Sequence, residues 1–175
     1  MSTLTLPDSV VPLPSDPVLA HAIAAAVQES LRMCQAETRL VGLTTVPVYE
    51  PGSVTAVIGV HGKVSGFLTF NTCEQVALNL AEGFLQEPME KLNGQVIDCV
   101  GEIANVIAGG VKKRLSTTEW AFHSVTVPSV IVGHNYQIAY AKGIQYLAVT
   151  FEHHNTDAFL LEHRLLQVAV SLVRL

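Results

Sequence analysis

The sequence has few charged residues and few cysteines, and these shortages exclude several classes of protein. Only 14% of its 175 residues are charged, whereas 49% are hydrophobic. This composition excludes intrinsic disorder and indicates one domain with a well-buried core. The net charge is −5, and the only basic run is Lys112-Lys113-Arg114. Because the chain lacks an extended basic surface, we expect no nucleic-acid partner.

The three cysteines, Cys34, Cys73 and Cys99, are an odd number and lie far apart. They predict buried thiols in a reducing compartment rather than a disulfide framework. The first residues are interrupted by prolines and lack the basic region of a signal peptide. No apolar run approaches the roughly 18 residues that a membrane span needs. We therefore expect a cytoplasmic protein with no membrane partner.

Turn and capping residues divide the first half of the chain into predicted helices and strands. We expect residues 1–16 to form an extended N-terminal tail and residues 17–175 to form a single domain. Asp16 suits the N-cap and Pro17 the first position of an alanine-rich helix that reaches about Glu37. Gly42 is expected to end the connection that follows this helix. A strand is then predicted from Val46 to Tyr49.

A hairpin and a second helix are predicted next. The β-branched and aromatic segments VTAVIGV and VSGFLTF flank a His61-Gly62-Lys63 turn, which is typical of a hairpin. Asn71, with Glu74 three residues later, predicts a capping box at the start of a helix that ends near Gln86. Asn93-Gly94 then breaks the chain before a third helix.

The segments after Glu119 are strand-like: FHSVTVPSVIVG, YQIAYAKG and IQYLAVTFEHH, followed by an Asn155-Thr156-Asp157 turn. Residues 159–175 fit the periods of both helix and strand, and we favour strand. The expected fold is therefore α+β, with a mainly antiparallel sheet and its helices packed on one face.

Three polar side chains follow one face of the third predicted helix, from Ile97 to Leu115. At about 100° per residue, Asp98, Glu102 and Asn105 fall within roughly 60° of one another, opposite an apolar face. Gly101 and Gly109 flank this stripe, although each costs about 1 kcal/mol relative to alanine in a helix. Small residues beside polar ones suggest that something approaches closely. The pattern alone favours a solvated helix face with incidental glycines.

Pro128 lies in the strand-like run that follows, where a proline suggests the start or the edge of a strand. It completes a longer spacing: Asp98, three residues, Glu102, two residues, Asn105, twenty-two residues, Pro128. This spacing resembles, without a gap or substitution, the signature of the CheC/CheX/FliY family of response-regulator phosphatases. The segment GEIANVIAG also resembles the active helix of that family, and the resemblance covers most of the chain from about residue 17.

The resemblance implies a hydrolase that removes the phosphoryl group from the phosphoaspartate of a CheY-type receiver domain, in two-component or chemotaxis signalling. It implies that Glu102 pairs with a receiver lysine and that Asn105 positions the attacking water. A carboxamide suits this work because phosphoryl transfer depends mainly on placement and charge stabilisation. The resemblance implies no cofactor for this chain, with Mg²⁺ bound by the partner receiver. The remaining matched or flanking positions are supporting residues: Asp98, Gly101, Gly109 and Pro128.

The first helix lacks the corresponding pair, because Arg32 rather than asparagine follows Glu29 by three residues. The chain therefore resembles the single-site, CheX-like members of the family, which are homodimers joined through their sheets. The apolar segment from Leu165 to Leu175 suits such an interface, and burial within one subunit explains it equally well.

Other hypotheses stay open from the sequence. The chain could be a non-catalytic module that engages a receiver or another signalling protein, or a structural dimer with a merely solvated helix face. His153 and His154, with Glu162 and His163, suggest metal ligands. Adjacent strand histidines point to opposite faces, however, so no metal site is predicted. Cys99 lies on the core side of its helix and is expected to be a buried thiol rather than a nucleophile.

Overall fold

A computed structural model describes residues 16–47, 52–134, 136, 138, 143–154 and 158–174. In chain order the elements are α1 (Pro17–Arg32), β1 (Thr38–Thr44), β2 (Val54–Gly62), β3 (Val64–Thr72), α2 (Glu74–Leu85), α3 (Gly94–Leu115), β4 (Phe122–Val125), β5 (Ser129–Val132), β6 (Gln145–His153), a short 3₁₀ helix (Leu161–Arg164) and β7 (Leu165–Arg174). Within the described ranges, no helix is long and apolar enough to cross a membrane.

The described strands form one seven-stranded sheet in which every neighbouring pair is antiparallel. The order is β1-β6-β7-β3-β2-β4, and β5 also pairs with β2. Strands β4 and β5 follow one another along the same side of β2, because β4 pairs with residues 60–62 and β5 with residues 54–57. The predicted α+β fold with a mainly antiparallel sheet is confirmed.

The helices pack on one face of this sheet. In β7, alternate residues from Leu166 to Leu172 join the main hydrophobic core, together with the buried faces of all three helices. Helices α1 and α3 also contact one another closely. A Cβ at Gly110 would lie 3.1 Å from the Cβ of Ala26. The small residues at both positions therefore let these two helices approach.

Helix α1 begins as predicted and ends earlier than predicted. Asp16 is its N-cap and accepts hydrogen bonds from the backbone N–H groups of Val18 at 2.9 Å and Leu19 at 3.2 Å. The helix ends at Arg32 rather than near Glu37. The following turn takes Gln35 to a φ of 51°. The Cys34 carbonyl of this turn packs directly on Gly83 of α2, a distant contact that the local sequence does not reveal.

The first strand differs from the prediction. Strand β1 spans Thr38–Thr44 and contains Gly42 at a register shift opposite Thr150, so Gly42 does not end the connection. The predicted strand is wrong at Val46, which lies after β1. Its last residues, 48 and 49, lie outside the described part of the chain. Strand β1 forms by pairing with the distant β6, a contact that the local pattern cannot show.

The predicted capping box before α2 is also wrong. Asn71 is a buried residue of β3, and its side chain accepts a hydrogen bond from the backbone N–H of Gly52 at 2.9 Å. The N-cap of α2 is Cys73, whose side chain makes no capping hydrogen bond. Helix α2 ends as predicted, because Gln86 is its C-cap and takes a left-handed φ of 59°.

The other strand predictions are largely confirmed. The β2–β3 hairpin pairs His61 with Ser65 across its turn, and β6 covers most of the third predicted segment. The preference for strand is correct for β7, whereas the preceding 3₁₀ helix was not expected. Most of YQIAYAKG, the turn at 155–157 and residues 1–15 lie outside the described residues, so the division into a tail and a single domain stays a prediction.

Candidate active face on helix α3

Helix α3 is capped at its start by Asn93, whose side-chain oxygen accepts the backbone N–H of Val96 at 3.0 Å. The helix begins at Gly94, three residues before the predicted start. One side of α3 is buried against the sheet and α1, through residues that include Val100, Ile103 and Ile107. This packing fixes which side of the helix remains in solvent.

The three polar residues lie together on that solvent side. Asp98, Glu102 and Asn105 are all exposed, and each follows the previous one after about one helical turn. Within the described ranges, none of the three makes a side-chain hydrogen bond or ion pair. Asp98 therefore bonds neither to Glu102 nor to the start of the helix. Helix α3 thus exposes two carboxylates and one carboxamide to solvent, and none of them is bonded to another described side chain.

The two flanking glycines have different surroundings. A Cβ at Gly101 would lie 3.7 Å from Cγ2 of Val130 and 3.8 Å from Cβ of Pro128, so the group that approaches Gly101 is β5 of the same chain. A Cβ at Gly109 would meet nothing within 4 Å. Only Gly109 leaves open space on the solvent side.

Pro128 lies where the polar stripe meets the sheet. It directly precedes β5, at the interruption between β4 and β5 along the sheet edge, which agrees with a proline at a strand start or edge. Its contact distance to the Gly101 position places it beside the residue that precedes Glu102. The distant fourth residue of the signature is therefore next to the helix in space.

The Thr126–Pro128 connection is clamped to β2, which the sequence did not predict. The backbone N–H of Thr126 donates to the Gly59 carbonyl at 2.9 Å, and the Gly59 N–H donates to Oγ1 of Thr126 at 2.8 Å. Between these bonds and Pro128, Val127 is 86% exposed. The β-branched pattern of FHSVTVPSVIVG predicted a continuous strand and carried no signal for this clamp, except Pro128 itself.

Cys99 and the nearby Cys34 are buried on the core side of α3. Burial, and then the negative charge of Glu102, raise the pKa of the Cys99 thiol to about 11. Burial raises the pKa of Cys34 to about 12. All three cysteines are free, and Cys34 and Cys99 are buried as predicted, whereas Cys73 is only half-buried. At neutral pH the Cys99 thiol is protonated, in agreement with its prediction as a buried thiol.

The two histidines at the end of β6 differ in their surroundings. His153 is buried and His154 is exposed, as expected for adjacent strand residues. Glu162 and His163 lie 3.9 Å apart in the 3₁₀ helix. Across the described residues, no group of three or more His, Cys, Asp or Glu side chains is arranged to hold a metal ion.

Comparison with protein-family models gives a match over the middle of the chain. The family model described as chemotaxis phosphatase CheX matches residues 54–152, which is more than half of the chain. The matched range contains Asp98, Glu102, Asn105 and Pro128. Among curated proteins, no sequence matches the chain significantly.

Several solved structures share the fold. A CheC-like superfamily protein from Shewanella sp. PV-4 has a TM-score of 0.75 at 21% identity, covering 91% of this chain and 99% of that one. CheX from Vibrio vulnificus has a TM-score of 0.74 at 22% identity, covering 89% and 99%. A CheX–CheY–BeF₃–Mg²⁺ complex from Borrelia burgdorferi has a TM-score of 0.69 at 22% identity, covering 87% and 96%. At these identities the likeness concerns the fold alone.

Proposed function

The chain belongs to the CheX family of chemotaxis phosphatases, and on that basis we propose that it dephosphorylates the phosphoaspartate of a CheY-type receiver domain. The observation that carries the proposal is the exposed Glu102–Asn105 pair on α3. Both side chains have the family spacing, and neither is engaged within the described part of the chain.

Asn105 is proposed to position the attacking water. Its carboxamide oxygen accepts one hydrogen bond from the water while its NH₂ group donates to the phosphoryl oxygens, and neither bond requires a change of charge. The water oxygen attacks phosphorus, and the bond between phosphorus and the aspartate oxygen breaks. The products are inorganic phosphate and a free aspartate carboxylate. Placing the water in line with the leaving oxygen supplies most of the acceleration in such reactions.

Glu102 is proposed to dock on the receiver. It lies one turn before Asn105, about 4.5 Å along the helix axis, so an ion pair at Glu102 sets where Asn105 enters the receiver site. Partner binding removes both side chains from water, which strengthens the ion pair and makes its geometry matter. In this proposal the charged Glu102 orients the receiver, and the neutral Asn105 contacts the attacking water.

The metal of the reaction is proposed to belong to the receiver. The solved complex from Borrelia burgdorferi contains CheX, CheY, BeF₃ and Mg²⁺. A Mg²⁺ ion held by receiver carboxylates would neutralise charge on the phosphoryl oxygens. The exposed stripe of α3 then needs only to bring a carboxamide and a docking carboxylate.

The proposal is tested by phosphate release. Receivers from the same genome are treated with an acyl phosphate, and those that bind the chain are identified by pull-down. The phosphorylated receiver is then followed with and without the full chain. We expect phosphate release to accelerate with chain concentration. Binding without acceleration would identify a non-catalytic module, and absence of binding to every receiver would contradict the proposal.

A further inference from the structure

A second feature lies at the C-terminal end of the same helix face. An open cavity of about 580 Å³ lies between the end of α3, the β2–β3 turn and β4. Its lining combines apolar side chains with three lysines and a histidine. The lining residues are Lys63, Lys112, Lys113, Ser116, Ala121, Phe122 and His123. We call this cavity the basic pocket.

The basic pocket collects positive charge in an acidic protein. It holds three of the five lysines of a chain whose net charge is −5, and no carboxylate is among the described residues that line it. The Lys112 ammonium donates to the carbonyl of His123 at 3.4 Å, and the Lys63 ammonium to the carbonyl of Thr118 at 3.4 Å. A carbonyl oxygen carries no net charge, so these hydrogen bonds hold the ammonium groups without neutralising them.

Neighbouring carboxylates are occupied elsewhere. The ion pairs found among the described residues use arginine or histidine, and none uses a lysine. Glu29 is close enough to Lys113 to feel its charge, but its carboxylate pairs with Arg114. The positive charge of the pocket is therefore not cancelled within the described chain.

Helix stabilisation explains only part of this cluster. Cations in the last turn of a helix interact favourably with its dipole, which accounts for Lys112 and Lys113. Lys63 and His123, however, lie on the β2–β3 turn and on β4. Their convergence on the same cavity needs another explanation.

The basic pocket continues the polar stripe of α3. Lys112 follows Asn105 by seven residues, which places it about 20° away around the helix and about 10.5 Å along its axis. Gly109, with open space above it, lies between them. Along α3 the stripe is thus acidic at Asp98 and Glu102, neutral at Asn105, bare at Gly109 and basic at Lys112.

A protein docked on Asn105 must cover this pocket. A standard interface buries about 800 Å² on each partner, the area of a disc of about 16 Å radius. Lys112 lies about 10.5 Å from Asn105 along the helix axis, so the basic pocket falls inside such a footprint. Desolvated ammonium groups cost free energy unless they meet opposite charge, so the partner surface above the pocket should carry carboxylates.

We propose that the basic pocket binds acidic side chains of the receiver, on the opposite side of the phosphoryl group from the lysine that Glu102 engages. This inference rests on the proposed function. The acidic and basic ends of the stripe together permit only one direction for the receiver along α3, because the reversed direction would place like charges in contact at both ends.

The experiment compares Lys112→Glu with Lys91→Glu. Both variants change the net charge equally, and Lys91 lies beyond the opposite end of α3, outside the expected footprint. Affinity for the BeF₃-activated receiver is measured at 50 mM and 500 mM salt. We expect Lys112→Glu to weaken binding about tenfold more than Lys91→Glu at low salt, with the difference shrinking at high salt.

Carbodiimide cross-linking gives an independent readout, because it joins an ammonium directly to a carboxylate in contact with it. We expect cross-links from Lys63 or Lys112 to receiver carboxylates in the wild-type complex, and none from Lys91. Equal affinities of the two variants would overturn the inference. NMR of the free chain can also show whether inorganic phosphate binds at Lys112 and His123. If phosphate binds there and Lys112→Glu keeps the receiver affinity of the wild type, the inference is likewise overturned.

Failure of the proposed function gives a different result. If the wild-type chain binds receivers without accelerating phosphate release, and Lys112→Glu still weakens that binding selectively, the docking role of the pocket stands and the catalytic proposal falls. Circular dichroism and a Lys112→Gln variant, for which we expect an intermediate affinity, show that the effect is one of charge rather than of misfolding.

Discussion

Asn105 differs from the other polar residues of α3 because its side chain is neutral and carries both donor and acceptor groups. Glu102 and Asp98 can attract or repel a partner, whereas Asn105 can hold a water without drawing a counterion into the site. Its exposure, and the lack of any bond to it among the described residues, leave both of its functional groups available.

Asp16 has the clearest structural role of any single residue. Its Oδ1 caps α1, and its Oδ2 accepts the indole N–H of the buried Trp120 at 2.6 Å. Burial raises the pKa of Asp16, but the hydrogen bonds from Trp120, Leu19 and Val18 outweigh it and hold the pKa below its ordinary value of 3.8. One carboxylate thereby ties the start of α1 to the segment between α3 and β4.

Replacing Asp16 with alanine should destabilise the fold. Loss of an N-cap costs about 1 kcal/mol, and leaving the Trp120 N–H buried without a partner costs about 1–3 kcal/mol. We expect a combined loss of about 2–4 kcal/mol in urea unfolding. Asp16→Asn keeps an oxygen acceptor and should lose less than half as much. Equal stability of Asp16→Ala and wild type would contradict this role.

His153 should make stability depend on pH. Burial, and then the neighbouring His154, lower the pKa of His153 below its ordinary value of 6.5. The unfolded chain therefore binds a proton at a higher pH than the folded chain. Stability is complete above about pH 6.5 and falls as pH decreases, with a slope of at most about 1.4 kcal/mol per pH unit from this residue.

Urea unfolding between pH 7.5 and 5.5 measures this effect, since carboxylates with ordinary pKa values remain charged there. We expect His153→Gln to flatten the pH dependence and the exposed control His154→Gln to leave most of it in place. An unchanged slope in His153→Gln would show that His153 is not the responsible group.

At the scale of elements, the two glycines of α3 separate helix stability from docking. Alanine at Gly101 would make only ordinary contacts with Val130 and Pro128, and alanine at Gly109 would enter open space. Each substitution should stabilise the helix by up to about 1 kcal/mol. Only Gly109→Ala should weaken receiver binding, because Gly109 lies on the solvent side between Asn105 and Lys112.

Calorimetric unfolding measures the gain in helix stability, and titration with the receiver measures the loss of affinity. Equal receiver affinities of Gly101→Ala and Gly109→Ala would contradict the docking role of Gly109.

Elements that depend on local chemistry could be predicted from the sequence. The Asp16-Pro17 start of α1, the β2–β3 hairpin and the amphipathic stripe of α3 all follow from capping, turn and periodicity rules. Elements that depend on contacts between distant parts of the chain could not be predicted from the sequence. Strand β1 exists because β6 pairs with it, and Asn71 resembles a helix cap until its strand partners are known.

The candidate site shows the same division. Periodicity alone places Asp98, Glu102 and Asn105 on one face, but it does not bring Pro128 beside them or separate the environments of Gly101 and Gly109. The clamp between Thr126 and Gly59 has no sequence signal, because it forms across 67 residues. The basic pocket likewise joins Lys63 and His123 to Lys112 only in three dimensions.

At the scale of the whole molecule, we propose that the chain forms a homodimer through its sheet. The segment from Leu165 onward is mostly buried within one subunit, since Leu166, Val168, Val170 and Leu172 lie in the main core. A better candidate surface is the edge strand β1, which exposes about two fifths of each of Leu40, Val41 and Leu43. Among the described strands β1 has a neighbour on one side only, and such an apolar edge favours association with another strand.

Light scattering with size-exclusion chromatography tests this proposal. We expect the wild-type chain to have twice the mass of one subunit and Leu43→Lys to shift it toward the monomer. Met33→Lys, at an exposed residue just after α1, is the control and should remain dimeric. A monomeric wild type, or a dimer that Leu43→Lys leaves intact, would contradict the use of this edge.

The most direct test of the central claim is a single-turnover measurement of receiver dephosphorylation with Asn105→Ala at saturating concentration. The control is Gln28→Ala, which truncates an exposed amide on α1. If Asn105 positions the water, Asn105→Ala should bind the receiver with nearly wild-type affinity and lose about two to three orders of magnitude in rate, while Gln28→Ala retains full activity. Full activity in Asn105→Ala would contradict the account.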